Sequence, residues 1–160
     1  EPASAAEVAS WRRDARELEH WTKRRGRPGA DDFARWHAEA GVYPYLLWLE
    51  RAPIPYAEVW IESESGGHTE AELARIVVAP SLRGAGWGRG LVGLLVEAAA
   101  RRGAQRIWMR VVPENAAALA CYARAGFERV TCEEEAALNA PQPRTYLWLR
   151  RNASEARSER

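Results

Sequence analysis

The sequence predicts an α/β chain of the α+β kind, with a central, mostly antiparallel mixed sheet of six or seven strands flanked by about four helices. Three observations predict it. Apolar stretches of strand length at Tyr43–Glu50, Tyr56–Glu62 and Thr69–Ala79 follow one another across short turns, the pattern of an antiparallel meander. Helical spacing then takes over, with Leu91, Leu94, Leu95, Ala98 and Ala99 on one face. Strand and helix alternate once more through Arg106–Val112, a helix between Asn115 and Gly126, and a last strand pair.

Each element has its own signals. Val8-Ala9-Ser10-Trp11 reads as a short first strand, and Asp14 to Trp21 as a helix with Leu18 and Trp21 on one side. Lys23–Gly29 is a basic loop, read as a solvated turn in preference to a grip on a phosphate or an acidic partner. Asp31-Asp32 offers an N-cap to a short helix carrying Phe33 and Trp36. Pro55 limits ladder hydrogen bonds where the second meander strand begins. In that strand Tyr56, Glu58 and Trp60 share one face and Ala57, Val59 and Ile61 the other. By the same alternation Glu72, Ala74 and Ile76 share a face of the third. Pro113 ends the strand Arg106–Val112, Asn115 caps the next helix and Gly126 closes it as a C′ glycine. Phe127–Thr131 and Thr145–Leu149 form the last pair, joined by a loop carrying Glu133, Glu134, Glu135, Pro141 and Pro143. Residues 1–151 read as one domain and 152–160 as a polar tail.

Composition narrows the class. At 160 residues the chain can build a proper core. Its net charge of +1, from 23 basic and 22 acidic residues, carries no signature of a nucleic-acid binder. No apolar run has membrane-spanning length, and no signal peptide is legible. Cys121 and Cys132 make no metal spacing, so no metal is expected, and reduced thiols fit a cytoplasmic protein. Of eight tryptophans, Trp48, Trp60, Trp108 and Trp148 fall in predicted strands and read as core.

The chemistry gathers at Ala71–Leu95. Ile76, Val77 and Val78 close a buried strand before Pro80, and Arg83-Gly84-Ala85-Gly86-Trp87-Gly88-Arg89 empties into a helix N-terminus. Unpaired N–H groups and the positive end of the helix dipole make such a turn an anion site. Gly88, Gly90 and Gly93 each cost about 1 kcal/mol relative to alanine in a helix, which points to close approach. A P-loop needs Gly-Lys-Ser/Thr, and the turn has no lysine. The dinucleotide fingerprint G-x-G-x-x-G fails from either Gly84 or Gly86. What fits is Arg/Gln-x-x-Gly-x-Gly/Ala, with Arg83, Gly86 and Gly88 at its defining positions. Downstream, Asn115, then Tyr122 on the following helix, then Gly126-Phe127 form a second segment.

Both motifs, in this order, resemble those of the GNAT superfamily of N-acetyltransferases over roughly Ala71–Val130. The resemblance implies acetyl-CoA as co-substrate and direct attack of an amine on its thioester in a ternary complex. It implies that the strand before the turn splays from its neighbour and that the backbone of Ile76, Val77 and Val78 binds the pantetheine arm. The pyrophosphate falls to Arg83, Gly84, Ala85, Gly86, Trp87, Gly88 and Arg89. Asn115 would bond the pantetheine. Tyr122, seven residues on and so on the same helical face, would protonate the departing thiolate. Glu72 and Glu58 are the candidate bases. Two helices near the N-terminus would wall the acceptor site, where Trp11, Trp21 and Trp36 form either an aromatic cleft for an amine or core. The partners expected are acetyl-CoA and an amine, not nucleic acid or membrane, with the chain a monomer or a homodimer through exposed strand edges. The alternatives are a non-catalytic acyl-CoA-binding domain and a Trp-rich interaction module.

Overall fold

The computed structural model describes residues 2–11, 21, 28–49, 52–63 and 67–153. In chain order the elements are α1 (Pro2–Ser10), α2 (Ala30–Ala38), β1 (Val42–Leu49), β2 (Ala52–Ser63), β3 (Thr69–Val78), a 3₁₀ turn (Pro80–Leu82), α3 (Trp87–Arg101), β4 (Arg106–Val111), α4 (Ala116–Arg124), β5 (Glu128–Arg129), α5 (Cys132–Asn139) and β6 (Leu147–Asn152). The strands form one sheet in the order β1-β2-β3-β4-β6-β5. Pairing is antiparallel except between β3 and β4, which are joined by the crossover helix α3 and run parallel. The meander expected from the three apolar runs is β1-β2-β3.

Alternation along the strands sorts side chains onto two faces. Ala57, Val59, Ala71 and Leu73 point to the face covered by Leu91, Val92, Leu95, Val96 and Ala99 of α3. Tyr56 and Val77 point to the opposite face, beneath Val8, Trp11, Trp21, Phe33 and Trp36. A smaller cluster of Val130, Tyr146 and Trp148 packs with Leu138 of α5.

Local structure departs from the sequence reading in several places. Val8–Trp11 is not a strand: Val8 belongs to α1, and the Trp11 N–H donates to the Val8 carbonyl at 3.2 Å. Both side chains are buried against the sheet, and a spacing of three serves one helical face as readily as a short apolar run serves a strand. The N-cap of α2 is Gly29 rather than an aspartate, and Asp32 instead accepts the Gly29 N–H at 2.9 Å. The acidic segment after Thr131 is helix α5, not loop. Thr131 Oγ1 accepts the Glu134 N–H at 3.2 Å, and Glu133, Glu134 and Glu135 occupy the first turn, where the helix dipole favours negative charge. That helix shortens the expected strand Phe127–Thr131 to Glu128–Arg129. β2 starts at Ala52, so Pro53 and Pro55 lie within it. Trp48 is 52% exposed on the edge strand rather than core, whereas Trp148 is buried. The predicted helix up to His20, the basic loop through Arg27 and the tail beyond Ala153 lie outside the described residues.

Two glycines give opposite expectations. At Gly41, with φ +80°, an added Cβ would stand 2.4 Å from the Ile61 carbonyl oxygen. Gly93, inside α3, has open space where its Cβ would go. Urea unfolding should show Gly41→Ala destabilised by more than about 1 kcal/mol. Gly93→Ala should be stabilised by about 0.5–1 kcal/mol.

Candidate active site

The sheet opens between β3 and β4. Their parallel ladder has three rungs, Glu70 opposite Arg106, Ala71 opposite Ile107 and Glu72 opposite Trp108. Past that last rung β3 continues to Val78 beside β2, while β4 continues to Val111 beside β6. The two strands form no further rungs with each other. β3 therefore runs along one side of a split that begins at Glu72.

A bulge shapes this stretch. Tyr56 pairs with Val77 and Glu58 with Ala74, so Ala57 alone stands opposite Arg75 and Ile76. Arg75 has φ +48°, a left-handed conformation that costs a side-chain-bearing residue about 1–2 kcal/mol. The extra residue reverses the alternation. Glu72, paired with Trp60, and Ala74, paired with Glu58, lie on the face of α1 and α2. Ile76 packs into the α3 core instead. Simple counting, which put Ile76 on the face of Glu72, fails because it assumes an unbroken period of two.

On the α1/α2 side the two candidate glutamates have different surroundings. Glu58 has no exposed surface. Tyr56 donates its hydroxyl to Glu58 Oε1 at 2.5 Å, and Trp60 Nε1 and Arg75 Nη1 donate to Oε2 at 2.6 and 2.7 Å. The Arg75 guanidinium also lies over the rings of Trp36, at 4.0 Å, and Trp60, at 5.1 Å. Its carbonyl accepts Trp21 Nε1 at 2.7 Å. Burial first, and then the Glu58 charge, push the Tyr56 phenol far above its usual range. His37 Nε2 lies 3.0 Å from the Tyr56 hydroxyl, and burial lowers its pKa against the pull of Glu58. Glu58 is thus an enclosed anion within a ring of donors. Glu72, at the mouth of the split, is only partly buried and pairs with Arg110 Nε at 2.7 Å. Arg110 reaches on to Gln142 Oε1 at 2.8 Å and lies among Trp60, Tyr146 and Trp148.

At the far end β3 runs into the glycine turn. Val77 is buried beside Tyr56 and Val78 pairs with Pro55. Arg83 turns its guanidinium back, donating to the Val78 carbonyl at 3.2 Å and to the Trp11 carbonyl. Gly84 and Gly86 have φ near +81° and +84°, a region that glycine enters without strain. Gly86 caps α3, with Ala85 exposed beside it and Trp87 as the first helical residue. The N–H groups of Arg89 and Gly90 bond the Gly86 carbonyl, and the Arg89 side chain is exposed. An added Cβ at Gly88 would stand 3.2 Å from Cys121 Sγ, so this glycine lets α4 approach α3. Around Gly90 and Gly93 the structure places nothing so close.

On α4, Asn115 is the N-cap and accepts the Ala118 N–H at 3.2 Å. Tyr122, half-buried, packs against the same core cluster as Ile76. Tyr122 and Glu72 therefore lie on opposite faces of the sheet, on either side of the split. Burial raises the Cys121 thiol pKa against the opposing charges of Arg124 and Arg89, which makes it a poor nucleophile.

Trp11, Trp21 and Trp36 are core, packed with Phe33 and Tyr56. A separate cavity of about 520 Å³ lies between α1, α2, β1 and β2, walled in part by Val8, Phe33, His37, Leu46 and Tyr56. None of the split or turn residues lines it. Sequence reasoning passed over Arg75, His37, Arg110 and Gln142. A signal for Arg75 existed, an arginine between Ala74 and Ile76 in an otherwise apolar strand end.

Known proteins supply a family and a fold for comparison. The profile of the Acetyltransferase (GNAT) family matches residues 6–127. The chain is 39% identical over 62 residues to the ribosomal protein bS18-alanine N-acetyltransferase of Escherichia coli K12, a match covering 39% of this chain and 42% of that protein. It is 39% identical over 59 residues to the uncharacterized N-acetyltransferase YobR of Bacillus subtilis, 37% of this chain and 24% of that protein. The matched stretches thus span less than half of either relative. The fold superposes on the structure of AAC(6')-Ib in complex with ribostamycin and coenzyme A with a TM-score of 0.74, at 23% identity over 99% of this chain and 92% of that one. With the family's model matched over residues 6–127, most of its length, the chain belongs to the GNAT acetyltransferase family.

Proposed function

We propose that this chain is an acetyl-CoA-dependent N-acetyltransferase that acylates a primary amine by direct attack, with residues 1–151 acting as one catalytic domain. The observation that carries the reading is the β3/β4 split, which begins at Glu72 while β3 runs on into the glycine turn and the N-terminus of α3. A helix N-terminus with left-handed glycines is suited to a pyrophosphate, and a strand beside an opening is suited to an extended amide-bearing arm. CoA complexes among structures of the same fold support the same assignment.

In this reading the backbone from Gly84 to Arg89 holds the pyrophosphate, with the Arg89 side chain supplying charge. Arg83 contributes through the backbone it braces. Ile76, Val77 and Val78 hold the pantetheine arm along the split, and Asn115 offers its side-chain amide from the start of α4. The thioester then lies between the two faces. The amine nitrogen attacks from the α1/α2 side, its C–N bond forming as the C–S bond breaks. Glu72 stands on that side to attract a cationic amine and take its proton. Tyr122 stands on the other to protonate the leaving sulfur. Glu72 is preferred to Glu58 as base because Glu58 is enclosed and already accepts three hydrogen bonds, from Tyr56, Trp60 and Arg75.

Titration calorimetry with acetyl-CoA, followed by thiol release against a panel of amines and peptide N-termini, tests the proposal. Binding with thiol release for one amine class supports it, and absence of binding overturns it. Gly86→Ala should weaken acetyl-CoA binding by about tenfold or more, because alanine resists φ near +84°. Tyr122→Phe should lower kcat by about 10²-fold with the acetyl-CoA KM nearly unchanged. Glu72→Gln should lower kcat at least about tenfold and flatten its dependence on pH in the acid range. An unaltered pH–rate profile would remove Glu72 from the role.

A further inference from the structure

Among the described residues, Glu58 is the only carboxylate with no exposed surface. A buried anion is tolerated when donors surround it, and three do here, from Tyr56, Trp60 and Arg75. The cationic member of that ring is the residue whose backbone is left-handed. Arg75 is held twice from the same side. Its guanidinium is bound by Glu58 and lies against Trp36 and Trp60, and its carbonyl is bound by Trp21. Were Arg75 to relax to an extended conformation, the alternation of β3 would be restored and Ile76 would turn to the α1/α2 face. The peptide groups from Ile76 to Val78 would then rotate relative to the split.

We infer that Glu58 is a positioning residue: acting through Arg75, it locks the bulge that aims the Ile76–Val78 backbone at the β3/β4 opening, and so sets affinity for the acyl donor. It moves no proton. The inference rests on the assignment of the split as the donor site, and it adds the device that holds that site in shape.

Three measurements on the full chain test it: acetyl-CoA affinity, steady-state kinetics, and amide hydrogen exchange across β3. Glu58→Gln keeps the size and most of the hydrogen bonds of the side chain but removes the anion that holds Arg75. It should raise the acetyl-CoA Kd and KM about 5- to 20-fold, leave kcat within about threefold, and leave the shape of the pH–rate profile unchanged. Exchange at Arg75–Val78 should quicken about tenfold or more, with Leu95 and Val96 of α3 unaffected. The double variants separate backbone from charge. Glycine accepts the left-handed conformation without a side chain to anchor it, so Glu58→Gln with Arg75→Gly should bind acetyl-CoA within about threefold of the parent. Glu58→Gln with Arg75→Ala should stay about tenfold weaker or worse. Both doubles remove the two charges together, so they leave no lone buried ion if a single variant does not fold.

Equal affinities for the glycine and alanine doubles would overturn the inference. So would a Glu58→Gln variant that loses kcat and its acid-range pH dependence while keeping its KM. If the parent binds no acetyl-CoA, the donor-site assignment falls, yet hydrogen exchange still decides the anchor: unchanged exchange in Glu58→Gln refutes it and faster exchange at Arg75–Val78 upholds it.

Discussion

A carboxylate with no contact to water must be met by donors, and the way Glu58 is met governs the centre of this sheet. Tyr56 and Trp60 reach it from its own strand, two residues away on either side, as the period of a strand allows. The third donor comes across the sheet from Arg75, and to deliver it the backbone of β3 turns left-handed and takes in an extra residue. The bulge reverses which side chains face which helices. Ile76 goes to the α3 core, and Glu72 stays with Trp60 on the opposite face.

The two faces, separated by strand alternation, differ in character. Beneath α3 and α4 the packing is aliphatic, built from Val59, Leu73, Leu91, Leu95, Ile107 and Met109, and Tyr122 enters it from one side. Beneath α1 and α2 the packing is aromatic and polar, with charges held in pairs. Arg75 pairs with Glu58 and Arg110 with Glu72, each within reach of tryptophan rings. The split opens between these two environments. In the proposed reaction an amine approaches from the face that can hold a cation, and a sulfur departs toward the phenol on the other.

The pair at the mouth of the split also binds the end of the chain to its middle. Arg110 of β4 bridges Glu72 of β3 and Gln142 in the segment before β6, with Tyr146 and Trp148 beside it. Helix α5, which leads into that segment, is fastened by ion pairs of Arg129 with Glu135 and Arg150 with Glu134. An acidic helix placed between basic strand residues is thereby fixed next to the opening, a neighbour to the candidate site that no motif announced.

Much of this could be read in the residues themselves. The glycine turn from Arg83 to Gly88, its helix, the Asn115 cap, the Gly126 terminus and the three-strand meander all rest on local rules, since a left-handed glycine, a capping side chain and a hydrophobic period act within a few residues of themselves. Local rules were also what misled. Val8 and Trp11 serve one side of a helix as well as a strand, and a run of glutamates marks a loop or a helix start depending on whether Thr131 caps it. What the sequence alone determined was therefore the three-strand meander, the glycine turn with the helix it opens, and the capped helix after β4. The tertiary structure decided which glutamate is enclosed and which stands at the split, which face Ile76 takes, and what Arg75 and Arg110 hold. Those outcomes depend on contacts between residues 17 to 38 positions apart, from Glu58 to Arg75, Gln142 to Arg110 and Glu72 to Arg110, and a bulge that shifts alternation by one residue leaves no mark in the period that precedes it.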